Sequence, residues 1–427
     1  MNTKGAGYSD VGRCRANNED ALWFDDDLGA YAVSDGIGGH AGGERASALA
    51  LDTVARVLKR AAGTLRDARA GGTSGHGPLV GLARAAVEAA CHEIYTAAEA
   101  DSDLHGMGCT LTLLLVAGSK GVMTHVGDTR LYLCRDGGID QLSTDHTMAA
   151  DEVRRGRMTP EAARTHEYSK CLTRSLGTRK SVHPETLIFD VLPGDVYLLC
   201  SDGLTQYVEL GELGRHLARN GQVDAPRDLI ALANERGGND NITALVVRVS
   251  ASEDEQASLF ELREDVRRDL AVLREVELLE DLPLAHLLRI YDAAECLVCA
   301  PGQEVLAIGD PLEGLYCVLS GSFEVVTGDG EPVRLAPRAH LGGPALVVEG
   351  SSAGSLEATE PGRLLFLDGQ RFRELAALRP RVGMTVLSRV FQVTLAGLDP
   401  GFAQAGLLSI RKRKSWWNPF TWARTTR

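Results

Sequence analysis

The chain has 427 residues, of which 44% are hydrophobic, 24% charged and 5% aromatic. At about 150 residues per domain, that predicts two or three globular domains and excludes wholesale disorder, collagen and coiled-coil fibre. The formal net charge is −13, yet residues 411–427 hold six bases and no acids, so the rest carries −19. An acidic body excludes a broad nucleic-acid surface, which needs a basic stripe, so nucleic acid is not an expected partner.

The longest apolar run, Thr110 to Gly118, is far short of the roughly 20 residues of a membrane helix. The N-terminus MNTKGAGYSD has no apolar core of a signal peptide. Nine scattered cysteines read as reduced thiols, and a cytoplasmic location is expected.

In chain order, residues 1–250 alternate short β-type runs with helical stretches. Ala30–Ser34, Thr110–Val116, Leu131–Cys134, Val196–Cys200 and Ile242–Arg248 predict strands. Ala46–Ala62 and Leu79–Ala100 carry the apolar spacing of amphipathic helices, with a glycine-rich loop at Gly71–Pro78 between them. After a polar break, residues 251–281 predict a connecting helix, with Leu259, Leu262, Val266, Leu270, Leu273 and Val276 on one stripe up to Leu279. Residues 282–399 change texture to short strands between turn signals such as Pro301-Gly302 and Ser320-Gly321, the pattern of a β barrel or jelly roll. A helix over Gly369–Gln392 is expected to break at Pro380. Residues 400–427 form a basic, aromatic tail.

Four acidic motifs in the first region lie at strand ends or tight turns. They are Arg15-Ala-Asn-Asn-Glu19-Asp20, Asp35-Gly36-Ile37-Gly38-Gly39-His40, Ser201-Asp202-Gly203 and Gly237-Gly238-Asn239-Asp240-Asn241. Carboxylates at strand ends, with glycines permitting close backbone approach, suit hard divalent cations such as Mg²⁺ and Mn²⁺. Two such ions about 4 Å apart can activate water and hold a phosphoryl group for in-line attack. An arginine beside them grips phosphate with its planar fork, and Arg15 is placed for it.

These motifs resemble metal-dependent protein phosphatases of the PP2C type, the PPM family. The matches run in the family's order and add Gly106–Thr110, Gly127–Arg130, Asp145-His146, Leu172–Gly177, Cys200–Gly203 and Gly238–Thr243. The resemblance implies an α+β fold, a four-layer α/β/β/α sandwich of two antiparallel sheets. It implies two Mn²⁺ or Mg²⁺ ions, with a third, weaker site. Carried over by residue, Asp35 bridges the two metals, Asp202 and Asp240 bind the first, and Glu19 with the Gly36 carbonyl binds the second. Asp20 orients a bound water, Asp128 with Asp202 matches the third site, and Arg15 matches the phosphate-binding arginine. Met148–Ser175 matches the mobile flap, with a helix start at Thr159-Pro160-Glu161.

Two positions depart from the family. Ile37 stands where some eukaryotic members place a histidine assigned as general acid. His40, three residues on, is read as structural, which leaves protonation of the leaving oxygen to bound water. Cys109 replaces a usual threonine, and only a packing change is expected.

Residues 282–399 resemble a cyclic-nucleotide-binding domain through Ala300–Val305, Ile308–Asp310, Gly314–Gly321, Leu341–Gly343 and Leu364–Leu367. Its ligand-binding residues are missing. Gly343 and Pro344 stand where the family's ribose-binding glutamate belongs, and Ser352 where its phosphate-binding arginine belongs. Burying an unpaired phosphate charge costs several kcal/mol, so cyclic nucleotide is not the expected ligand.

Cys296-Leu-Val-Cys299 is a lone CxxC and reads as two core thiols, and His125 and His183 read as ordinary histidines. The tail, with Trp416, Trp417, Trp422 and its bases, suits either an anionic membrane surface, a protein partner or simple fraying.

The leading reading is a Mn²⁺/Mg²⁺-dependent serine/threonine protein phosphatase, regulated or localised by its C-terminal region. Its expected partners are phosphorylated proteins, among them Ser/Thr kinases or their substrates. The alternative is a catalytically weak signalling scaffold. Such a scaffold is expected to lack one of Asp35, Asp202 or Asp240, and all three are present. A DNA-binding regulator fails because residues 400–427 are too few for a helix-turn-helix.

Overall fold

The computed structural model describes residues 1–37, 41–69, 77–218, 224–251, 256–280, 282–327, 332–378 and 380–396. It divides into two compact units, one of residues 1–270 with 283–292, the other of residues 271–282 with 293–427.

Among the described residues the first unit carries eleven strands. They are β1 (Asn2–Asp10), β2 (Asp20–Asp25), β3 (Ala30–Ile37), β4 (Gly108–Cys109), β5 (Leu111–Ala117), β6 (Lys120–Val126), β7 (Arg130–Arg135), β8 (Gly138–Gln141), β9 (Glu185–Asp190), β10 (Val196–Cys200) and β11 (Ile242–Ser250). One sheet runs β1-β11-β10-β7-β8 and the other β2-β3-β5-β6-β9, with β4 paired to β3. All these pairings are antiparallel. Strand β5, Leu-Thr-Leu-Leu-Leu-Val-Ala, is buried at every position because both of its faces are covered.

Helices Ala41–Arg60 and Gly77–Ala100 cover the outer face of the second sheet. Their stripes, Ala46, Ala50, Val54, Leu58 and Ala83, Val87, Ala90, Ile94, pack on Ala30, Ala32, Leu111, Leu113 and Leu115. Helices Asp202–Thr205, Leu210–Leu217 and Ala225–Glu235 cover the first sheet in the same way, with Leu204, Leu213, Leu217, Leu229 and Ile230 on Leu198, Cys200, Ala244 and Val246. The layers therefore run helix, sheet, sheet, helix, as the resemblance implied. Alternation along each strand sends one set of side chains outward under the helices and the other inward between the sheets.

One local reading shifts. The helix expected to reach Leu279 spans Gln256–Leu273. Beyond it the backbone turns, with Leu279 N–H bonded to the Val276 carbonyl, and Val276 and Leu279 stay buried without helix. Most of the glycine-rich loop at 71–78 lies outside the described residues.

In the second unit, one sheet orders Glu295–Cys299, Gly362–Asp368, Gly314–Ser320 and His340–Leu341. A second orders Glu304–Leu306, Gly354–Ala358, Phe323–Thr327 and Val333–Leu335. Tyr316, Val318 and Leu364 of the first meet Leu306, Phe323, Leu356 and Ala358 of the second in one core. This is a double-sheet jelly-roll arrangement. Among the described residues the strands form these two four-stranded sheets and a two-stranded one, Pro311–Leu312 with Gly350–Ser351, and not a closed cylinder. Pro380 separates helix Gly369–Leu378 from helix Pro380–Ala396, as its missing N–H requires.

The CxxC reading needs a correction. Cys299 is buried but Cys296 is exposed, because a spacing of three on strand Glu295–Cys299 sends the two thiols to opposite faces. The tail 400–427 lies outside the described residues.

Candidate metal centre

The acids come together because the strands that carry them end together. Asp20 opens β2 and lies directly opposite Asp35 near the end of β3. The β10–β11 pairing sets Cys200 against Ala244, so Ser201-Asp202 and Asp240–Thr243 meet at the ends of the other sheet. Ser201 N–H donates to the Thr243 carbonyl at 3.1 Å, and Thr243 N–H donates to Ser201 Oγ at 3.0 Å. Asp128 sits on the link from β6 to β7, where the chain passes from one sheet to the other.

Close packing at glycines makes this possible. A Cβ on Gly36 would collide with the Gly43 carbonyl at the start of helix Ala41–Arg60, and one on Gly203 with the Asn241 carbonyl. Glu19 is 7% exposed, and its carboxylate packs against Gly43 in that helix's first turn, where the dipole favours negative charge. Gly36 N–H donates to the Glu19 carbonyl at 3.1 Å. Asn241 holds the opposite side, accepting from Glu19 N–H at 2.9 Å and donating to the Val11 and Asn17 carbonyls, both at 2.9 Å.

The electrostatics record the crowding. Burial pushes Asp20 up to about 7, against hydrogen bonds that pull it down. Burial, and then the charges of Asp20, Asp202, Asp128 and Asp240, holds Asp35 well above the carboxylate range. Burial and the neighbouring Asp202 raise Asp128 to about 8. Asp202 is raised too, chiefly by burial, with Lys170 pulling it down. Carboxylates that raise one another face a common space, and cations in that space relieve the repulsion.

Two side-chain cations are there. Arg15 Nη2 lies 2.8 Å from Asp240 Oδ1. Lys170, from the flap, lies 2.8 Å from Asp240 Oδ2 and 3.4 Å from Asp202 Oδ2. Sequence reasoning missed Lys170 because no motif connects it with acids 32 and 70 residues away.

It also missed the anchors of Asp20. Ser201 Oγ and Thr243 Oγ1 both donate to Asp20 Oδ2, at 2.6 and 2.7 Å. Both residues lay in the matched stretches, yet their pattern was read for acids alone. Asp20 Oδ1 is buried with no hydrogen-bond partner among the described residues. Such an oxygen calls for a water or a cation.

The donors are all oxygen and rich in aspartate, as Mn²⁺ and Mg²⁺ prefer. Among the described residues, no three His, Cys, Asp or Glu side chains are yet gathered tightly enough to hold one ion. Arg15 and Lys170 already engage oxygens of Asp240 and Asp202.

Cys109 is an inert core thiol, pushed up to about 12 by burial, with its Sγ 3.7 Å from the Ala46 carbonyl. Thr110 beside it makes the site contact, its Oγ1 accepting from Asp35 N–H at 3.0 Å. His125 is fully buried on Thr112 Oγ1 at 2.9 Å, while His183 is exposed. His40 lies outside the described residues.

The two-sheet α+β sandwich with aspartates crowded at one end of the sheets is the arrangement that the sequence resemblance implied. Residues 13–242 match the protein phosphatase 2C family, and the chain belongs to it. Residues 297–378 match the cyclic nucleotide-binding domain. The serine/threonine protein phosphatase PstP of Mycobacterium tuberculosis is 38% identical over 244 residues, 57% of this chain and 44% of that protein. The chain thus matches less than half the length of that relative. The serine/threonine phosphatase stp of Listeria monocytogenes is 33% identical over 243 residues and is covered over 93% of its length.

The crystal structure of the M. tuberculosis phosphatase PstP/Ppp superposes with a TM-score of 0.53 at 36% identity, over 59% of this chain and all of that one. The PstP catalytic domain in complex with two manganese ions gives a TM-score of 0.51 at 35% identity, over 58% of this chain and 99% of that one.

Proposed function

We propose that this chain hydrolyses phosphoserine and phosphothreonine in proteins with two Mn²⁺ or Mg²⁺ ions, and that its C-terminal region regulates or positions that activity. The single observation that carries the reading is the set of aspartates from both sheets, desolvated and raising one another, beside an Asp20 oxygen with no partner among the described residues.

Asp35 would be shared between the two ions. Asp202 and Asp240 would hold the first, and Glu19 with the Gly36 carbonyl the second. Asp128 with Asp202 would hold a third, weaker ion. When bound, the metals supply Lewis-acid activation of water and offset the charge of the phosphoryl group.

The chain's own groups do the rest. Ser201 and Thr243 fix Asp20 through Oδ2, so that Oδ1 accepts from the attacking water and aims its oxygen. Arg15, 46% exposed in its ion pair with Asp240, is free enough to turn its fork to the substrate phosphate. The water oxygen bonds to phosphorus as the bond to the seryl or threonyl oxygen breaks; one proton of the water passes through solvent in the site to the leaving oxygen and the other stays on the phosphate, so free serine or threonine and hydrogen phosphate are released. No side-chain nucleophile takes part.

The test is release of phosphate from phosphothreonine and phosphoserine peptides by the full chain, with Mn²⁺ and with chelator. Metal-dependent release is expected from both peptides. Equal, background release under both conditions overturns the proposal in favour of a scaffold. The tail 400–427 is proposed as a membrane or partner contact, and equal co-sedimentation of the full chain and residues 1–409 with anionic vesicles would remove the membrane reading.

A further inference from the structure

Glu185 opens edge strand β9 and is buried. A buried carboxylate must be met on its oxygens. Oε1 accepts from Arg289 Nη2 at 2.7 Å, with side-chain exposures of only 7% and 8% for the pair. Oε2 lies 3.7 Å from Nε2 of His146.

Arg289 sits on helix Leu284–Ala293, which packs within the first compact unit. That helix is tied down again where Lys120 Nζ reaches Asp190 and Asp292, each at 3.1 Å, and where Tyr291 donates to Asp269 at 2.9 Å. The chain on both sides of it, residues 271–282 and from 293 onward, belongs to the other unit.

His146 is the other end of the relay. Its Nδ1 accepts from Gly127 N–H at 3.1 Å, and its backbone N–H donates to the Gly127 carbonyl at 2.7 Å. Gly127, at φ +107°, forms the turn that presents Asp128. The His146 carbonyl accepts from Thr173 N–H at 2.7 Å, so the base of the flap is held by the same residue. With Nδ1 accepting, the proton of the neutral ring lies on Nε2, toward Glu185.

We propose that Arg289 and Glu185 are positioning residues that act through His146, so that helix Leu284–Ala293 sets the Asp128 turn and the flap base. This deepens, and rests on, the phosphatase reading. An apolar pair of the same size would hold the helix as well or better, because desolvating two charges offsets their attraction. What the charged pair adds is direction: it fixes one orientation of the imidazole, and with it the Gly127 N–H.

The test uses the full chain loaded with Mn²⁺. In R289M, amide exchange of residues 127–130 and 171–174 is expected to speed up about fivefold or more, and peptide kcat to fall about tenfold. R289K is expected to restore most of both. H146N keeps a side-chain acceptor near Gly127 but does not reach Glu185, and is expected to show the same loss. The double variant R289M/H146N is expected to add nothing further, since both break one path.

Wild-type exchange in folded R289M overturns the proposal, as do losses that multiply in the double variant. Should R289M fail to fold, E185Q with H146N completes the same cycle. Exchange reports on the relay without turnover, so a chain that shows the relay yet releases no phosphate counts against the phosphatase reading alone.

Discussion

The two units have kept different halves of their inheritance. The first pairs its scaffold with crowded charges: Asp20, Asp202, Asp128 and Asp240 raise Asp35, and Arg15 lies 2.8 Å from Asp240. The second keeps the jelly-roll core, but Ser352 stands where the resemblance puts an arginine, its hydroxyl bonded to the Gly354 carbonyl at 2.5 Å. Gly342, at φ +84°, leads into the short 3₁₀ turn Gly343–Leu346. A fold survives on apolar packing, whereas a site survives only residue by residue.

The sharpest way to break this contrast is D35N in the first unit. Removing the shared carboxylate is expected to cut Mn²⁺-dependent peptide turnover by roughly a hundredfold or more, with the fold retained by circular dichroism. Near-wild-type turnover would show that the clustered acids are no metal centre.

Metal removal comes next. An acid whose folded pKa is raised favours the folded state below its unfolded pKa, and that advantage is lost as pH rises through the folded pKa. For Asp20, raised from 3.8 to about 7, and Asp128, raised from 3.8 to about 8, the loss runs from near pH 4 to about pH 8. With chelator, the site therefore contributes to a melting temperature that is higher at pH 5.5 than at pH 8. Mn²⁺ binds the deprotonated acids, so its stabilisation is expected to be greater at pH 8. A Mn²⁺-induced shift that does not grow with pH would contradict the carboxylate assignment.

Lys170 gives a smaller effect. It is 55% exposed and competes for Asp202 and Asp240. In K170A the Mn²⁺ concentration for half-maximal activity is expected to fall by about twofold to fivefold, the scale of an exposed ion pair. A requirement that rises would make Lys170 part of the substrate grip.

The smallest expected effect is none. Cyclic AMP and cyclic GMP at millimolar concentration are expected to leave the melting curve unchanged, whereas a ligand present at a hundred times its Kd adds about 2.7 kcal/mol. A clear shift would mean that the jelly roll binds phosphate without the arginine.

Much of the first unit was legible in the chain. β-branched and leucine-rich runs marked β3, β5, β7, β10 and β11, and the acids stood at their ends in recognisable order. Lys170 and the relay from Arg289 to His146 were not legible, because side-chain contacts across long sequence gaps join them to their partners. Cys296 was misplaced for the opposite reason. A short-range rule, strand alternation, decided its face, and the burial of Cys299 was extended to it.

The sequence by itself determined which side chains this protein has to spend on a cation centre, and which it lacks for a cyclic phosphate, because charge and residue type are local properties. Only the tertiary structure decided that aspartates from two separate sheets share one desolvated space, and that a helix flanked in the chain by the second unit lodges its arginine inside the first. Mutual repulsion and burial exist only between groups that folding has brought together.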